Sequence, residues 1–159
     1  MINLIEYHHI DLYYQDQPVL KDICLTIPKN KTVAIVGQSG SGKSTLLKLT
    51  MQLLGKDAVV QNGRILFEGQ ELLSLNTHSW QSIRGREIGM IFQNASQYFD
   101  PRKKIKDQYL EILSKHFNMD KNTALETAQK QMRQVSLLNP DSVLGKYPFE
   151  LSGGMAQRV

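Results

Sequence analysis

A single cysteine, Cys24, is all the thiol chemistry that 159 residues contain. One thiol closes no internal disulfide and builds no multi-cysteine metal cluster, which suits a reducing cytoplasm. Cys24 lies in a strand pattern, where a buried or half-buried small residue is the usual occupant. Histidine is scarce too: His8, His9, His78 and His116 follow neither an H-E-x-x-H nor a paired-cysteine spacing, so they read as surface or core residues. No apolar run nears the roughly 18 residues of a membrane span, and the first seven residues lack a basic segment followed by an apolar one. The expectation is a soluble chain whose membrane association, if any, is made through partners. Charge of one sign is also in short supply. The net charge of +4 is scattered and too small to mark a nucleic-acid binder. The basic run Arg102-Lys103-Lys104-Ile105-Lys106 reads as a solvated face, and neither an internal repeat nor a low-complexity tract is found.

What remains is an ordinary globular composition, 41% hydrophobic and 21% charged, in a length that one domain can fill. Residues 4–14 are rich in β-branched and aromatic side chains. Residues 19–27 alternate, with Ile23, Leu25 and Ile27 on one face and Asp22, Cys24 and Thr26 on the other. The pair predicts an antiparallel hairpin with one wet face. A buried strand is expected over 32–36, then a helix over 44–54 stopped by Gly55 in a left-handed cap. A second β segment is expected over 59–67 with Gly63 as a turn inside it, a short helix over 80–84, and a strand over 87–92 ending at Gln93. Helices are expected over 105–117 and 123–138, with Asp120 or Asn122 as the N-cap of the second. Asn139-Pro140 and Tyr147-Pro148 mark breaks. Met51, Met90, Met119 and Met132 fall in apolar patterns and are assigned to the core.

The strongest local signal is Gly37-Gln38-Ser39-Gly40-Ser41-Gly42-Lys43-Ser44-Thr45. It satisfies G-x-x-x-x-G-K-[ST], with an apolar run before it and a helix-favouring run after it. The bare pattern arises by chance in about one chain in two hundred of this length; correct flanks make the coincidence far rarer. Glycines let the backbone approach a ligand with positive φ. The N–H groups of the loop and of the following helical turn then converge on one anion, aided by the helix dipole. Lys43 adds a mobile charge for β- and γ-phosphates, and the Ser44 hydroxyl is a magnesium ligand. A nucleotide site is the expectation.

The last residues are Leu151-Ser152-Gly153-Gly154-Met155-Ala156-Gln157-Arg158-Val159. Ser152 can cap a helix starting at Gly153, leaving Gly153 and Gly154 to present backbone N–H groups. Together with the phosphate loop and with Ile88-Gly89-Met90-Ile91-Phe92-Gln93, this resembles the nucleotide-binding subunit of an ABC transporter. The likeness is most specific over residues 83–101 and 147–155, which are similar to the D-type ATPases of the oligopeptide, dipeptide and nickel importer group.

The resemblance implies an α/β fold: a P-loop NTPase (RecA-like) core, an N-terminal antiparallel β subdomain and an α-helical subdomain. It implies the division 1–93 for the β subdomain and core, 94–150 for the helical part and 151–159 for the signature, together a partial nucleotide-binding domain. It implies ATP and Mg2+ as cofactors, with Ser44 and Gln93 on the magnesium ion, Lys43 and Gln93 in catalysis, and Tyr14 (or Tyr13) stacked on adenine. Ser152, Gly153 and Gly154 would contact the γ-phosphate held by a second ATPase subunit. The remaining partners implied are membrane-spanning permease subunits, docked near Gln93 and residues 105–145, and indirectly a solute-binding protein, at the cytoplasmic face of the membrane.

Two departures stand out. Asn30-Lys31 replaces the usual Gly-Glu ahead of the phosphate loop, a change that Asn, tolerant of the left-handed region, should accommodate. Met155 replaces a common Gln, as it does in the peptide and nickel subgroup. The family's later strand ending in Asp-Glu, and a histidine beyond it, are not among these residues. The expectation is therefore a fragment or truncated product, poorly stable alone, with hydrolysis slowed by orders of magnitude. The competing function is a soluble ABC-type ATPase acting on nucleic acid or ribosomes. The interval between Gln93 and Leu151 holds no heptad repeat of the chromosome-maintenance type. A non-hydrolysing nucleotide-binding remnant is the third reading.

Overall fold

The computed structural model describes residues 2–159. They form two compact units, one ending at Arg84 and one spanning Gly85–Val159.

The first unit is built on a four-stranded sheet. Strands β1 (Asn3–Tyr14), β2 (Gln17–Pro28), β3 (Ala58–Phe67) and β4 (Gln70–Glu71) lie in the order β2-β1-β3-β4, every neighbouring pair antiparallel. The tight turn pairs Tyr14 with Gln17, and Gln15 takes φ 53°. The expected wet face is present: along β2 Ile23, Leu25 and Ile27 are half-buried while Asp22, Cys24 and Thr26 are exposed. Cys24 is thus on the solvent side and not buried, because strand alternation outweighs a cysteine's general preference for the interior. Gly63 makes no turn. With φ 94° it sits within continuous β3, opposite a register shift in β1 between His8 and Asp11, as the hinge of a bulge. Asn30 takes φ 59°, so the turn after β2 tolerates the departure noted above.

Helices α1 (Lys43–Thr50) and α2 (Thr77–Ile83) complete this unit. Helix α1 ends before Leu54, and Gly55 is not its cap. Gln52 at φ 48° takes the left-handed position, its N–H donating to Leu49 O (2.9 Å), while Leu53 N–H donates to Lys48 O (2.8 Å). This is a Schellman closure with a glutamine where glycine is usual. The Gln52 amide offsets the strain by donating to Leu72 O and Leu73 O.

Two further anchors orient α1. Thr50 Oγ1 donates to Leu46 O (2.9 Å), and the buried Tyr7 hydroxyl of β1 lies 2.6 Å from Thr50 Oγ1, to which it donates. Burial pushes the Tyr7 phenol above its ordinary pKa, so it remains a neutral donor. Arg84 closes the helix's far end: Nε and Nη2 donate to Met51 O (3.0 and 2.6 Å), Nη2 reaches Gln52 O (3.2 Å), and the guanidinium lies 4.7 Å from the Trp80 ring. A cation there also complements the helix dipole.

The second unit contains α3 (Ile105–Phe117), α4 (Lys121–Gln134), α5 (Pro140–Leu144) and α6 (Gly153–Arg158). Its core joins Ile105 and Leu113 to Ala124, Ala128 and Met132 and to Val143 and Leu144. Helix α3 matches its expected bounds. Asp120 is the N-cap of α4, accepting from Asn122 and Thr123 N–H, and the helix ends short of Leu138 because Ser136 at φ 62° closes it. Asn139-Pro140 starts a short helix instead of only breaking the chain: Pro140 occupies its first turn and Asn139 accepts from Ser142 N–H.

The strands expected over 32–36 and 87–92 are not formed. Among the described residues no strand pairs with either segment, and Val36 and Ile91 are 90% and 84% exposed. A parallel strand buried on both faces needs neighbours on both edges and helices on both faces. Apolar sequence alone does not supply them. Among the described residues no helix is long and apolar enough to cross a membrane.

The 159-residue chain without nucleotide should bind a hydrophobic dye and melt over a broad range; a sharp cooperative calorimetric transition above about 65 °C would contradict this. Arg84→Ala should destabilise the first unit by about 1.5–3 kcal/mol, by loss of charge-assisted bonds to buried carbonyls, and Tyr7→Phe by about 0.5–1.5 kcal/mol. Denaturant titrations of the variants provide the check.

Candidate nucleotide-binding site

The loop 37–45 leads directly into α1, and its shape is set by glycines at two positions. Gly42 is the N-cap of α1 in the left-handed region (φ 73°, ψ 31°), and Gly40 has φ 80°. A Cβ at Gly42 would lie 2.9 Å from Val19 O and from Leu20 Cδ2, so the loop's end is packed on the start of β2 with no room for a side chain. Between the glycines, Ser41 N–H donates to Gln38 O at 3.2 Å and tightens the turn.

Lys43 folds back across the loop, its ammonium donating to Gly37 O (2.8 Å) and Gln38 O (2.9 Å). An ammonium carries three protons, so one donor remains for a ligand above the loop. No side chain caps the α1 N-terminus, and no acidic residue occupies its first turn. The first-turn N–H groups have no intrahelical acceptor by construction. With positive φ at two glycines, a lysine over the mouth and the positive end of a helix beneath, the loop has the features of an anion cradle. Ser44 stands exposed in the same first turn and Thr45 is half-buried.

Tyr14 ends β1 at the tip of the hairpin, half-buried and paired with Gln17 of β2 and Ala58 of β3; Tyr13 pairs with Pro18 and Val59. The hairpin tip and the loop are linked through Val19 and Leu20, against which Gly42 packs. The first unit therefore carries Tyr14 and Gly37 to Thr45 on one continuous piece of structure.

The second unit holds the other expected residues. Gln93 is exposed in a turn, and Ser152, Gly153 and Gly154 are exposed at the start of α6, with open space where a Cβ on either glycine would stand. Ser152 is the N-cap, its hydroxyl accepting from Met155 N–H at 3.3 Å. Helix α6 and the Gln93 segment touch: Gln157 Nε2 donates to Phe92 O at 3.2 Å, and Phe92 stacks on Tyr98 at 3.9 Å. Tyr109 of α3 donates to Val159 O at 2.7 Å.

Sequence reasoning missed the supporting groups. Arg84, Thr50 and Gln157 contact backbone or hydroxyl groups 33, 43 and 65 residues away, and no spacing pattern joins such partners.

Comparison with known proteins agrees with this architecture. The ABC transporter family profile matches residues 20–159. The dipeptide transport ATP-binding protein DppD of Lactococcus lactis is 41% identical over 148 residues, covering 92% of this chain and 42% of the relative. The metal-staphylopine import system ATP-binding protein CntD of Staphylococcus aureus is 35% identical over 146 residues, covering 92% and 54%. The chain thus spans about half the length, or less, of these two curated relatives. Among solved structures, a dimeric bacterial ABC transporter cassette superposes with TM-score 0.80 at 21% identity, over 98% of this chain and 68% of that one. An ATP-binding cassette dimer in a post-hydrolysis state with ADP and Pi superposes at 0.77 and 19% identity, over the same shares. The profile match over residues 20–159 shows that this chain belongs to the ABC transporter family.

Proposed function

We propose that this chain is the ATP-binding part of a subunit that energises import of a small solute, of the peptide or metal-chelate class, through an ABC transporter. The observation that carries the reading is the cradle at 37–45: an uncapped helix N-terminus entered through a left-handed Gly42, with the Lys43 ammonium held above it by two loop carbonyls. Relatives named for dipeptide and metal-staphylopine import support the solute class.

The roles follow from position and chemistry. The N–H groups of the loop from Gly37 to Thr45 take the phosphate oxygens, and Lys43 gives its third proton to the β- or γ-phosphate. Tyr14, on the hairpin tip, offers its ring face to the adenine. The Ser44 hydroxyl at the start of α1 is a hard oxygen donor of the kind that Mg2+ takes, and the Gln93 amide oxygen of the second unit is, by itself, another. When bound, that cation would neutralise phosphate charge. Ser152, Gly153 and Gly154 serve the nucleotide of a second ATPase subunit, through N–H groups at the start of α6. Permease subunits dock near Gln93 and residues 105–145, placing the assembly at the cytoplasmic face of a membrane and reaching a solute-binding protein only through the permease. Nucleotide binding is carried by the chain's own residues, and none of those named here acts as the base that activates water.

Titration of the intact subunit with a fluorescent ATP analogue in Mg2+ buffer tests the nucleotide site. Lys43→Met should weaken binding by about 10–100-fold, because a charge-assisted bond to phosphate is lost. Gly42→Ala should do at least as much by forcing the loop off β2. Tyr14→Ala should weaken ATP by about tenfold while leaving inorganic triphosphate unchanged, since stacking acts on the base alone. Unaltered ATP binding by Lys43→Met would reject the reading. Co-purification of the intact subunit with permease chains tests the transport assignment separately.

A further inference from the structure

The outer face of the β1–β2 hairpin carries a group of side chains that the nucleotide site does not use. The irregularity in β1 between Tyr7 and Ile10 puts His9 at φ 50°, and across the ladder Asp22 also takes φ 50°. Neither residue is glycine, and both sit in a region that L side chains seldom adopt. The distortion is held from behind by β3. Gly63 comes so close that a Cβ there would meet His8 O and His9 O at 2.5 Å, and only glycine allows that approach. In front, Asp11 Oδ1 accepts the Asp22 N–H at 2.7 Å and fixes the backbone of the facing strand.

The consequence is that three donors of different chemistry converge. His9 Nδ1 lies 2.6 Å from Asp22 Oδ1 and 3.5 Å from Cys24 Sγ, and all three donor atoms fall within 4.8 Å of one another. One imidazole nitrogen faces both partners. A proton relay would use the two nitrogens on opposite sides of the ring, with the acid on one and the thiol on the other. Convergence of an imidazole nitrogen, a carboxylate oxygen and a sulfur on a shared point is instead the geometry of a coordination site. The sulfur also accepts the His9 backbone N–H at 3.4 Å, a dipole directed at the atom that carries negative charge in a thiolate.

We propose that His9, Asp22 and Cys24 form a surface site for a borderline-soft divalent cation of the zinc class, with the fourth position open to solvent. Tetrahedral bonds of about 2.0–2.3 Å place neighbouring donors about 3.3–3.7 Å apart. The His9–Cys24 separation already fits. The His9–Asp22 pair must open by about 0.8 Å to match those bond lengths, and their side chains, 70% and 71% exposed, are free to do so. On binding, the thiol gives its proton to the buffer, the imidazole proton that Nδ1 donates to Asp22 is exchanged through solvent to Nε2 so that Nδ1 is free to coordinate, and the cation replaces the hydrogen bond between His9 and Asp22. Thiolate and imidazole select Zn2+, Co2+ or Ni2+ over Mg2+ and Ca2+, which take oxygen donors. The site is therefore chemically separate from the magnesium ligands proposed at Ser44 and Gln93, and stands or falls independently of them.

Cobalt titration tests it, with the intact subunit in excess Mg2+ under reducing conditions. Co2+ should give a near-ultraviolet thiolate-to-metal band that one equivalent of Zn2+ abolishes. Cys24→Ser should remove the band, and His9→Ala and Asp22→Asn should each weaken binding tenfold or more with unchanged far-ultraviolet circular dichroism. Zn2+ should slow alkylation of Cys24 tenfold or more, and guanidinium should abolish that protection. Absence of a band at millimolar Co2+ would overturn the proposal, leaving a hydrogen-bonded surface cluster. So would a band undiminished in His9→Ala and Asp22→Asn, which would mean that the lone thiol binds without its neighbours.

Discussion

The chain of hydroxyls from Tyr7 through Thr50 to Leu46 O joins the sheet to the helix that follows the loop 37–45. An eight-residue helix is too short to persist in water by itself. Its orientation must be imposed from outside, and the side chains that do so are spread along the first unit: Tyr7 from β1, Gln52 reaching the segment after β4, and Arg84 after α2. The two ends of α1 are treated oppositely. The C-terminal carbonyls receive a guanidinium and a Schellman closure, whereas the N-terminal N–H groups receive neither a side-chain cap nor an acid. A dipole neutralised at one end and open at the other is what an anion site requires.

This wiring explains how the loop keeps its form although residues 32–36 make no strand. The loop's turn comes from Gly40 and Gly42, its seat from the contact of Gly42 with Val19 and Leu20, and its direction from the anchors on α1. All three are satisfied within the first unit. The two apolar segments 32–36 and 87–92 have no such local solution: a buried strand is stabilised by neighbours, and Val36 and Ile91 are left facing solvent. Elements that finish their own hydrogen bonding, such as the hairpin and α3, form as their sequences suggest. Segments 32–36 and 87–92, for which no strand partner is present among the described residues, do not.

The same distinction sorts what could be read from the amino acids. The hairpin, its wet face, α3, the Asp120 cap and the Ser152 cap are local patterns spanning a few residues, and each is found where the pattern put it. The tight turn at 37–45 was legible because its glycines and lysine lie within a few residues of one another. Helix ends were less so, since Gln52 and Ser136 adopt left-handed conformations that their residue types do not announce. Arg84 and Gln157 act on backbone carbonyls far along the chain and leave no trace in spacing. The convergence of His9 with Cys24 was likewise hidden, because a bulge brings together residues whose separation of 15 matches no metal motif.

The two glycine-rich helix starts in this chain differ in how many backbone donors they leave free. At α1 the N-cap is a glycine, so its first-turn donors are all left for a ligand. At α6 the N-cap is Ser152, whose hydroxyl already accepts from Met155 N–H, leaving a smaller set of free donors at Gly153 and Gly154. An anion should therefore bind the first strongly and the second weakly. In the proposed arrangement that asymmetry has a use. The α1 cradle would retain ATP in a single subunit, and the α6 contact, too weak to compete for nucleotide by itself, would add affinity only when a second subunit presents a phosphate already bound. A fully uncapped α6 would capture anions indiscriminately, and closure of the pair would no longer report that ATP is in place.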